Sequence, residues 1–243
     1  MQRESWTWSS SRLSEPARVN RWGHFGTPVL LFPSAGGDFE EVERFHLVGA
    51  LRELIDSGRI KVFSVAGVAA RTWLRGTDSP DHCARTQSLY DAYLDSEVVP
   101  LIRRDCQSET LQILAAGAAL GGYQAVASLC RLPSVFSVAI ALSGIFDVSK
   151  YLVSGFTPAL ESVSPLHSLG ASANRPQGDS IRRGFALLAT GEGDYETPSE
   201  TARMSAALNA AHINNKVEMW GRGFAHSWNT WREMLPRYVA AHV

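Results

Sequence analysis

Six short apolar runs alternate with segments of helical spacing along most of the chain. The runs lie at residues 28–32, 60–67, 111–117, 135–144, 184–193 and 216–221. Nearly continuous apolar runs of this length are typical of strands that are buried on both faces. Between the runs, apolar residues recur every three or four positions, as in the segment 45–54, which predicts helices. We therefore predict an α/β domain with a mainly parallel central sheet and helices on both faces.

Two further patterns extend this prediction. Residues 5–9 alternate aromatic and polar side chains, and residues 18–25 do so more loosely, which predicts an antiparallel pair at one edge of the sheet. Residues 150–179 are rich in Ser, Pro and Gly, and they form either a lid or pocket-lining excursion or a passive surface insertion.

We take residues 1–243 as a single domain. Further helices are expected at 89–102, with a kink at Pro100, and at 120–131, 198–211 and 228–240.

The composition excludes several classes of protein. The 23 basic and 24 acidic residues are scattered and give a net charge of −1, so there is no basic face for nucleic acid. Three unpatterned cysteines indicate a reducing compartment, without a disulfide framework or a zinc site. The segment MQRESWTWSS at the amino terminus lacks the apolar run of a signal peptide, and no segment approaches the ~20 apolar residues of a membrane span. We expect a cytoplasmic protein without a cofactor; its oligomeric state, a homo-oligomer included, stays open.

The segment AAGAALGGYQA, residues 115–125, contains the glycines of a nucleophile elbow. In such an elbow a Ser, Cys or Asp stands on a sharp strand-to-helix turn, and glycines two residues away on each side relieve the crowding. Gly117 and Gly121 have this spacing, and a predicted strand and helix flank them, although small residues also occur wherever a helix packs closely on a sheet. The nucleophile position between the two glycines is occupied by Ala119.

The residues expected to complete a catalytic triad follow in the required chain order of nucleophile, acid and histidine. Asp194 and Glu196 come after the strand predicted near residue 190, and His226 comes after the run 216–221. Open parallel sheets place their active sites at such carboxyl ends of strands. We favour Asp194 as the acid because it is closer to the strand end, while Glu196 stays an alternative.

Backbone groups and aromatic side chains complete the candidate site. One oxyanion-hole donor is expected to be the backbone N–H of Leu120, and the second that of Ala35 or Gly36. Phe39, Trp73 and Phe224 could line a pocket for a hydrophobic acyl or aryl group, although core packing would also explain them. We predict no metal site, because the remaining histidines lack the spacing of metal ligands: His24, His46, His82, His167 and His212.

With these motifs the chain resembles the α/β-hydrolase superfamily, and more narrowly its bacterial "putative esterase" branch, which includes esterase D-like proteins. The resemblance covers most of the chain, in the blocks PVLLFPSAGGDFEEVERF, GAALGGYQAVASLCRLPSVFSVAIALSG, GEGDYE and AHSWNTWREMLP. Members of that branch usually have the pattern G-x-S-x-G-G. The resemblance therefore implies a serine hydrolase of carboxylic esters, with a small-molecule acyl ester as substrate and with serine at position 119.

Two interpretations of Ala119 follow. The alanine either replaces a natural serine, which would leave an inactive form of a working esterase, or belongs to a natural pseudoenzyme that binds without catalysis. Ser34, Cys130 and Ser143 are unconvincing substitutes for the nucleophile. We favour the first interpretation, because a site without a chemical role has no need of a histidine and a carboxylate at the expected loops.

Overall fold

A computed structural model describes residues 3–35, 37–69, 72–152, 155, 157–172 and 178–243 of the chain. Eight strands form one sheet. Their order across the sheet is β1-β2-β4-β3-β5-β6-β7-β8, and all neighbours from β4 to β8 run parallel. The bounds are Arg3–Ser9 (β1), Pro16–Trp22 (β2), Thr27–Phe32 (β3), Ile60–Val65 (β4), Ile113–Ala118 (β5), Phe136–Leu142 (β6), Phe185–Thr190 (β7) and Asn214–Met219 (β8).

The sheet confirms the predicted strand pattern, with strand ends displaced by at most three residues. The two aromatic and polar runs pair as the antiparallel hairpin of β1 and β2 at one edge of the sheet. Every residue of β4 and β5 is buried, as expected for strands covered on both faces. The parallel strands all end at the same edge of the sheet, so the loops that follow β3, β5, β6, β7 and β8 meet there.

Helices cover both faces of the sheet, as predicted. One apolar core contains side chains of α4, α5, α6 and α10, and the other contains side chains of α1, α2, α3 and α11. The bounds are Glu41–Arg44 (α1), Leu47–Ala50 (α2), Arg52–Asp56 (α3), Pro80–Tyr93 (α4), Val99–Asp105 (α5), Leu120–Arg131 (α6), Pro158–Val163 (α7), Pro165–Ser172 (α8), Gly178–Arg182 (α9), Pro198–Ala210 (α10) and Trp228–Ala240 (α11).

The predicted helix at 89–102 contains an irregular turn beside its proline. A π-helical turn, Leu94–Val98, separates α4 from α5, and Pro100 stands in the first turn of α5. Proline has no N–H to donate and its ring clashes with the preceding turn, and a widened π turn is one way to accommodate it. The helix therefore changes type just before Pro100, while a kink in its direction stays a prediction.

Part of the excursion at 150–179 is packed against the rest of the molecule. The backbone carbonyl of Val163, at the end of α7, accepts hydrogen bonds from the Tyr123 hydroxyl at 3.1 Å and from the Arg131 guanidinium. Thr157 donates to Asp81 of α4 at 2.8 Å. Residues 153–154, 156 and 173–177 of this excursion lie outside the described residues, and its action as a lid stays a prediction.

The turn from β5 into α6 brings the helix against the sheet without space for side chains. A Cβ added at Gly117 would lie 2.5 Å from the carbonyl carbon of Gly121, and one added at Gly121 would lie 2.6 Å from the Pro33 carbonyl oxygen. Both distances are shorter than van der Waals contact. The two motif glycines are therefore required by the close approach of β5, α6 and the loop after β3.

We expect Gly121→Ala to lower the free energy of unfolding by about 1–3 kcal/mol, the usual cost of overpacking, in urea denaturation. Gly49→Ala is the matched control, because Gly49 is also helical and the nearest atom to its added Cβ is 3.8 Å away. The control should be neutral or stabilising by up to about 1 kcal/mol. Equal stability of the two variants would contradict the packing described here.

Candidate active site

Ala119 occupies a strained turn between β5 and α6. Its backbone has φ 53° and ψ −118°, a region that alanine rarely adopts, and its side chain is buried. Conformations of this kind cost on the order of 1–3 kcal/mol and persist only where the surroundings enforce them. The Ala119 N–H donates to the Leu142 carbonyl at 2.9 Å, and its carbonyl accepts from the Ile145 N–H at 3.1 Å. This strained strand-to-helix turn has the backbone geometry expected of a nucleophile elbow, with a methyl group at the position predicted for the nucleophile.

The histidine of the candidate site lies beside Glu196. The Nδ1 atom of His226 is 3.6 Å from Glu196 Oε2, a loose contact for an ion pair, and the Glu196 side chain is almost fully buried. Asp194, which the sequence favoured, has an exposed side chain and instead accepts the backbone N–H of His226 through its carbonyl, at 2.9 Å. The chain reverses at Tyr195, where φ is 62°, and this turn leaves Glu196 facing His226.

Two hydroxyl groups hold the carboxylate of Glu196. Ser143 donates to Oε1 at 2.5 Å, and Thr190 donates to Oε2 at 3.1 Å. Burial alone would raise the pKa of Glu196, but the contacts with His226, Ser143 and Thr190 outweigh it and lower the pKa below the ordinary value of 4.5. The carboxylate is therefore ionised at neutral pH, as a group that orients a histidine must be.

Sequence reasoning missed the role of Ser143 as a partner of Glu196, and that of Trp231, which holds Ser143. The Trp231 indole N–H donates to the Ser143 hydroxyl at 3.0 Å, and the Trp231 ring packs edge-on against His226 with centroids 5.0 Å apart. Ser143 is buried and has φ 47°, so its hydroxyl is held by a turn that serine seldom adopts. The only sequence signal was a polar residue that directly follows the apolar strand β6.

Backbone hydrogen bonds join the loop that carries Glu196 to the loop that carries His226. The N–H groups of Glu192 and Gly193 donate to the carbonyls of Gly221 and Phe224, at 2.9 Å and 3.0 Å. A Cβ added at Gly191 would lie 1.9 Å from the Phe224 carbonyl oxygen, so the loops meet where only glycine fits. This pairing fixes the distance between the acid and the histidine.

The backbone N–H expected to be the first oxyanion donor already donates to a carbonyl of the protein itself. The Leu120 N–H donates to the Ser34 carbonyl at 2.8 Å. Ser34 is held in turn by the buried carboxylate of Glu41, which accepts the Ser34 N–H at 2.6 Å and its hydroxyl at 3.0 Å. Burial raises the pKa of Glu41, partly offset by the hydrogen bonds from Ser34. Ala35 lies beside Leu120, and Gly36 lies outside the described residues.

The three aromatic residues expected to line a pocket lie in different surroundings. Trp73 is buried and lines a small cavity of about 10 Å³ together with Leu120 and Ala35. Phe39 lines a separate cleft of about 280 Å³ near the β1–β2 turn. The Phe224 ring packs edge-on against Trp220 with centroids 4.8 Å apart. Of the three, Trp73 is the one placed beside an expected oxyanion donor.

Within the described part of the chain, no group of three or more His, Cys, Asp and Glu side chains could hold a metal ion. The described helices are also too short or too polar to cross a membrane.

We expect Glu196→Gln to be less stable than the wild type at pH 7 by about 1–3 kcal/mol, because it loses a buried, hydrogen-bonded charge. A carboxylate whose pKa is lowered by folding stabilises the protein at pH values above its ordinary pKa. This stabilisation disappears as the pH falls through the lowered pKa. The difference from wild type should therefore shrink as the pH falls below 4.5.

Urea denaturation at pH 7 and at about pH 3 measures this effect. Asp194→Asn is the control, since its side chain is exposed and the described residues give it no hydrogen bond. A Glu196→Gln difference that stays constant with pH would contradict the assignment of the charge.

Comparison with known proteins identifies structures with the same fold. No curated protein sequence matches the chain. A solved ferulic acid esterase superposes with a TM-score of 0.72 and 15% identity, and the match covers 97% of this chain and 95% of that one. An S-formylglutathione hydrolase from Agrobacterium tumefaciens superposes with a TM-score of 0.73 and 17% identity, covering 99% of this chain and 94% of that one. MPT51 from Mycobacterium tuberculosis superposes with a TM-score of 0.72 and 17% identity, covering 99% of this chain and 97% of that one. At these identities the likeness concerns the fold.

Family membership is established by a sequence match to most of the chain. The sequence model of the esterase family described as "Putative esterase" matches residues 26–242. This range contains the elbow, both candidate acids and His226. The chain therefore belongs to this esterase family, and its eight-stranded sheet is that of the α/β-hydrolase fold.

Proposed function

We propose that this protein carries the site of a serine hydrolase for small-molecule acyl esters, in a form that binds the ester but lacks the nucleophile. The single observation that carries the proposal is the strained backbone of Ala119. Alanine gains nothing from a φ of 53°, whereas a serine there would present its hydroxyl at the edge of the sheet. The paired Glu196 and His226 support the same proposal.

The proposed reaction of the serine form divides into acylation and deacylation. His226 takes the serine proton on Nε2, because Nδ1 faces Glu196, and the serine oxygen attacks the ester carbonyl. The tetrahedral intermediate expels the alcohol, which receives that proton from His226. Water then attacks the acyl-serine with the same help from His226, and the carboxylic acid leaves. Glu196 orients the imidazole and stabilises its charged form.

The proposed oxyanion hole requires a rearrangement of one peptide group. The Ser34 carbonyl must leave the Leu120 N–H before that N–H can stabilise a developing oxyanion. The Ser34 carbonyl and the Ala35 N–H belong to the same peptide plane. A rotation of this plane would release Leu120 and turn the Ala35 N–H toward the site, which would supply both donors named from the sequence.

The hydrogen bond from Leu120 to Ser34 also favours a second candidate function, a natural ester-binding protein without catalytic activity. Such a protein needs no oxyanion hole, and here the first oxyanion donor is satisfied by the backbone. The alanine would then be the natural residue at position 119. The two candidates differ in what a restored hydroxyl would do.

We expect Ala119→Ser to raise ester hydrolysis at least about a thousand-fold over the wild type, because loss of the nucleophile costs far more than that in a serine hydrolase. Short and medium acyl p-nitrophenyl esters provide the assay. Ala119→Ser/His226→Gln is the matched control: it keeps the new hydroxyl, loses the base and should be inactive. Hydrolysis that is independent of His226 would contradict the proposed triad.

An inactive Ala119→Ser variant that still binds a non-hydrolysable acyl analogue would support the ester-binding protein instead. Calorimetric titration of the wild type and of Ala119→Ser with the same analogue makes this comparison. Absence of both activity and binding would rule out both candidates.

A further inference from the structure

A second pocket at the carboxyl edge of the sheet is lined by basic side chains from three separate segments. Arg12 comes from the turn between β1 and β2, Arg75 from the 3₁₀ turn Trp73–Arg75, and His82 and Arg85 from the first half of α4. The pocket has a volume of about 540 Å³ and is defined here as the basic pocket. Such convergence is unexpected in a chain whose net charge is −1.

The positive charge of the basic pocket is poorly neutralised. None of the residues that line it is Asp or Glu. Arg75 is 3.6 Å from Asp78, measured from Nε to Oδ2, whereas the described residues provide no carboxylate partner for Arg12 or Arg85. The basic residues of the pocket are exposed, so water and salt reduce their mutual repulsion, but their summed positive charge would still attract an anion.

Nearby carboxylates are engaged elsewhere. Glu97 accepts hydrogen bonds from Trp8, Ser10 and Ser11, and although burial raises the pKa of Glu97, these bonds outweigh it and lower the pKa. Asp81, at the start of α4, accepts from Thr157 at 2.8 Å. Neither carboxylate forms an ion pair with Arg12 or Arg85 among the described residues, although both keep their negative charge while they accept these bonds.

The remaining residues of the basic pocket suit an oxyanion that is attached to a less polar body. Ser14 and Thr86 add hydroxyl donors, and Leu13 and Leu89 add apolar surface. Guanidinium groups match the planar spacing of carboxylate and phosphate oxygens, which they bind through paired hydrogen bonds. The basic pocket also adjoins the candidate active site through one turn, because Trp73 lines the small cavity beside Leu120 and Arg75 follows two residues later.

We propose that the basic pocket binds the oxyanion group of a ligand, a carboxylate or a phosphate, through Arg12, Arg75 and Arg85. The site is distinct from the elbow and does not require hydrolysis at position 119. Its occupation can therefore be measured on the wild-type chain, independently of the proposed esterase activity.

The test is calorimetric titration of the protein with inorganic phosphate and, separately, with succinate, at ~10 mM ionic strength where charges are little screened. We expect the Kd of the better ligand to rise at least about tenfold in Arg12→Ala/Arg85→Ala, because two charged hydrogen-bond donors are lost. Arg52→Ala/Arg104→Ala is the matched control: it removes the same charge from exposed positions outside the basic pocket, and its Kd should stay within about twofold of wild type.

The two ligands distinguish the two sources of the oxyanion. Tighter phosphate binding identifies a phosphate site, and tighter succinate binding identifies a carboxylate site. The proposal is overturned if neither ligand binds the wild type, or if the two double variants weaken binding equally. Circular dichroism of both variants verifies that they are folded.

Discussion

The close approach of β5, α6 and the loop after β3 is the constraint on which the candidate site depends. Gly117 and Gly121 meet with no space for a Cβ, and the first turn of α6 therefore lies against Pro33. In the same turn the intervening Ala119 has a positive φ of 53°, and the Ser34 carbonyl accepts the Leu120 N–H. Position 119, the proposed oxyanion donor Leu120 and the loop after β3 therefore meet at one packing contact.

Glu196 and His226 are weaker evidence of chemistry than the elbow, because the carboxylate also has a structural role. Its bonds to Ser143 and Thr190 join the ends of β6 and β7, and its contact with His226 reaches the loop after β8. A protein without catalytic activity would retain Glu196 for stability. The strained φ of Ala119 costs free energy that an alanine side chain does not recover, so this turn is the feature that a catalytic origin explains best.

The sequence predicted those parts of the molecule whose signals are local. Strands such as β4 and β5 are buried on both faces, so their residues are nearly all apolar and easily recognised. The elbow was recognisable because close packing demands glycine at fixed spacing. The choice between Asp194 and Glu196 was not predictable, since it depends on the left-handed turn at Tyr195. Ser143 and Trp231 meet across 88 positions of sequence, a contact that no local pattern encodes.

The free energies of two hydrogen bonds decide whether the occupied oxyanion hole argues against catalysis. A backbone hydrogen bond such as that from Leu120 to Ser34 contributes about 0.5–1.5 kcal/mol net. An oxyanion donor contributes about 2.7–4 kcal/mol to the transition state. Rotation of the peptide between Ser34 and Ala35 would leave the bonds from Ser34 N–H and hydroxyl to Glu41 in place. Breaking the hydrogen bond from Leu120 to Ser34 therefore costs less free energy than an oxyanion donor contributes to the transition state. The closed loop is compatible with a hydrolase whose oxyanion hole opens when an ester binds.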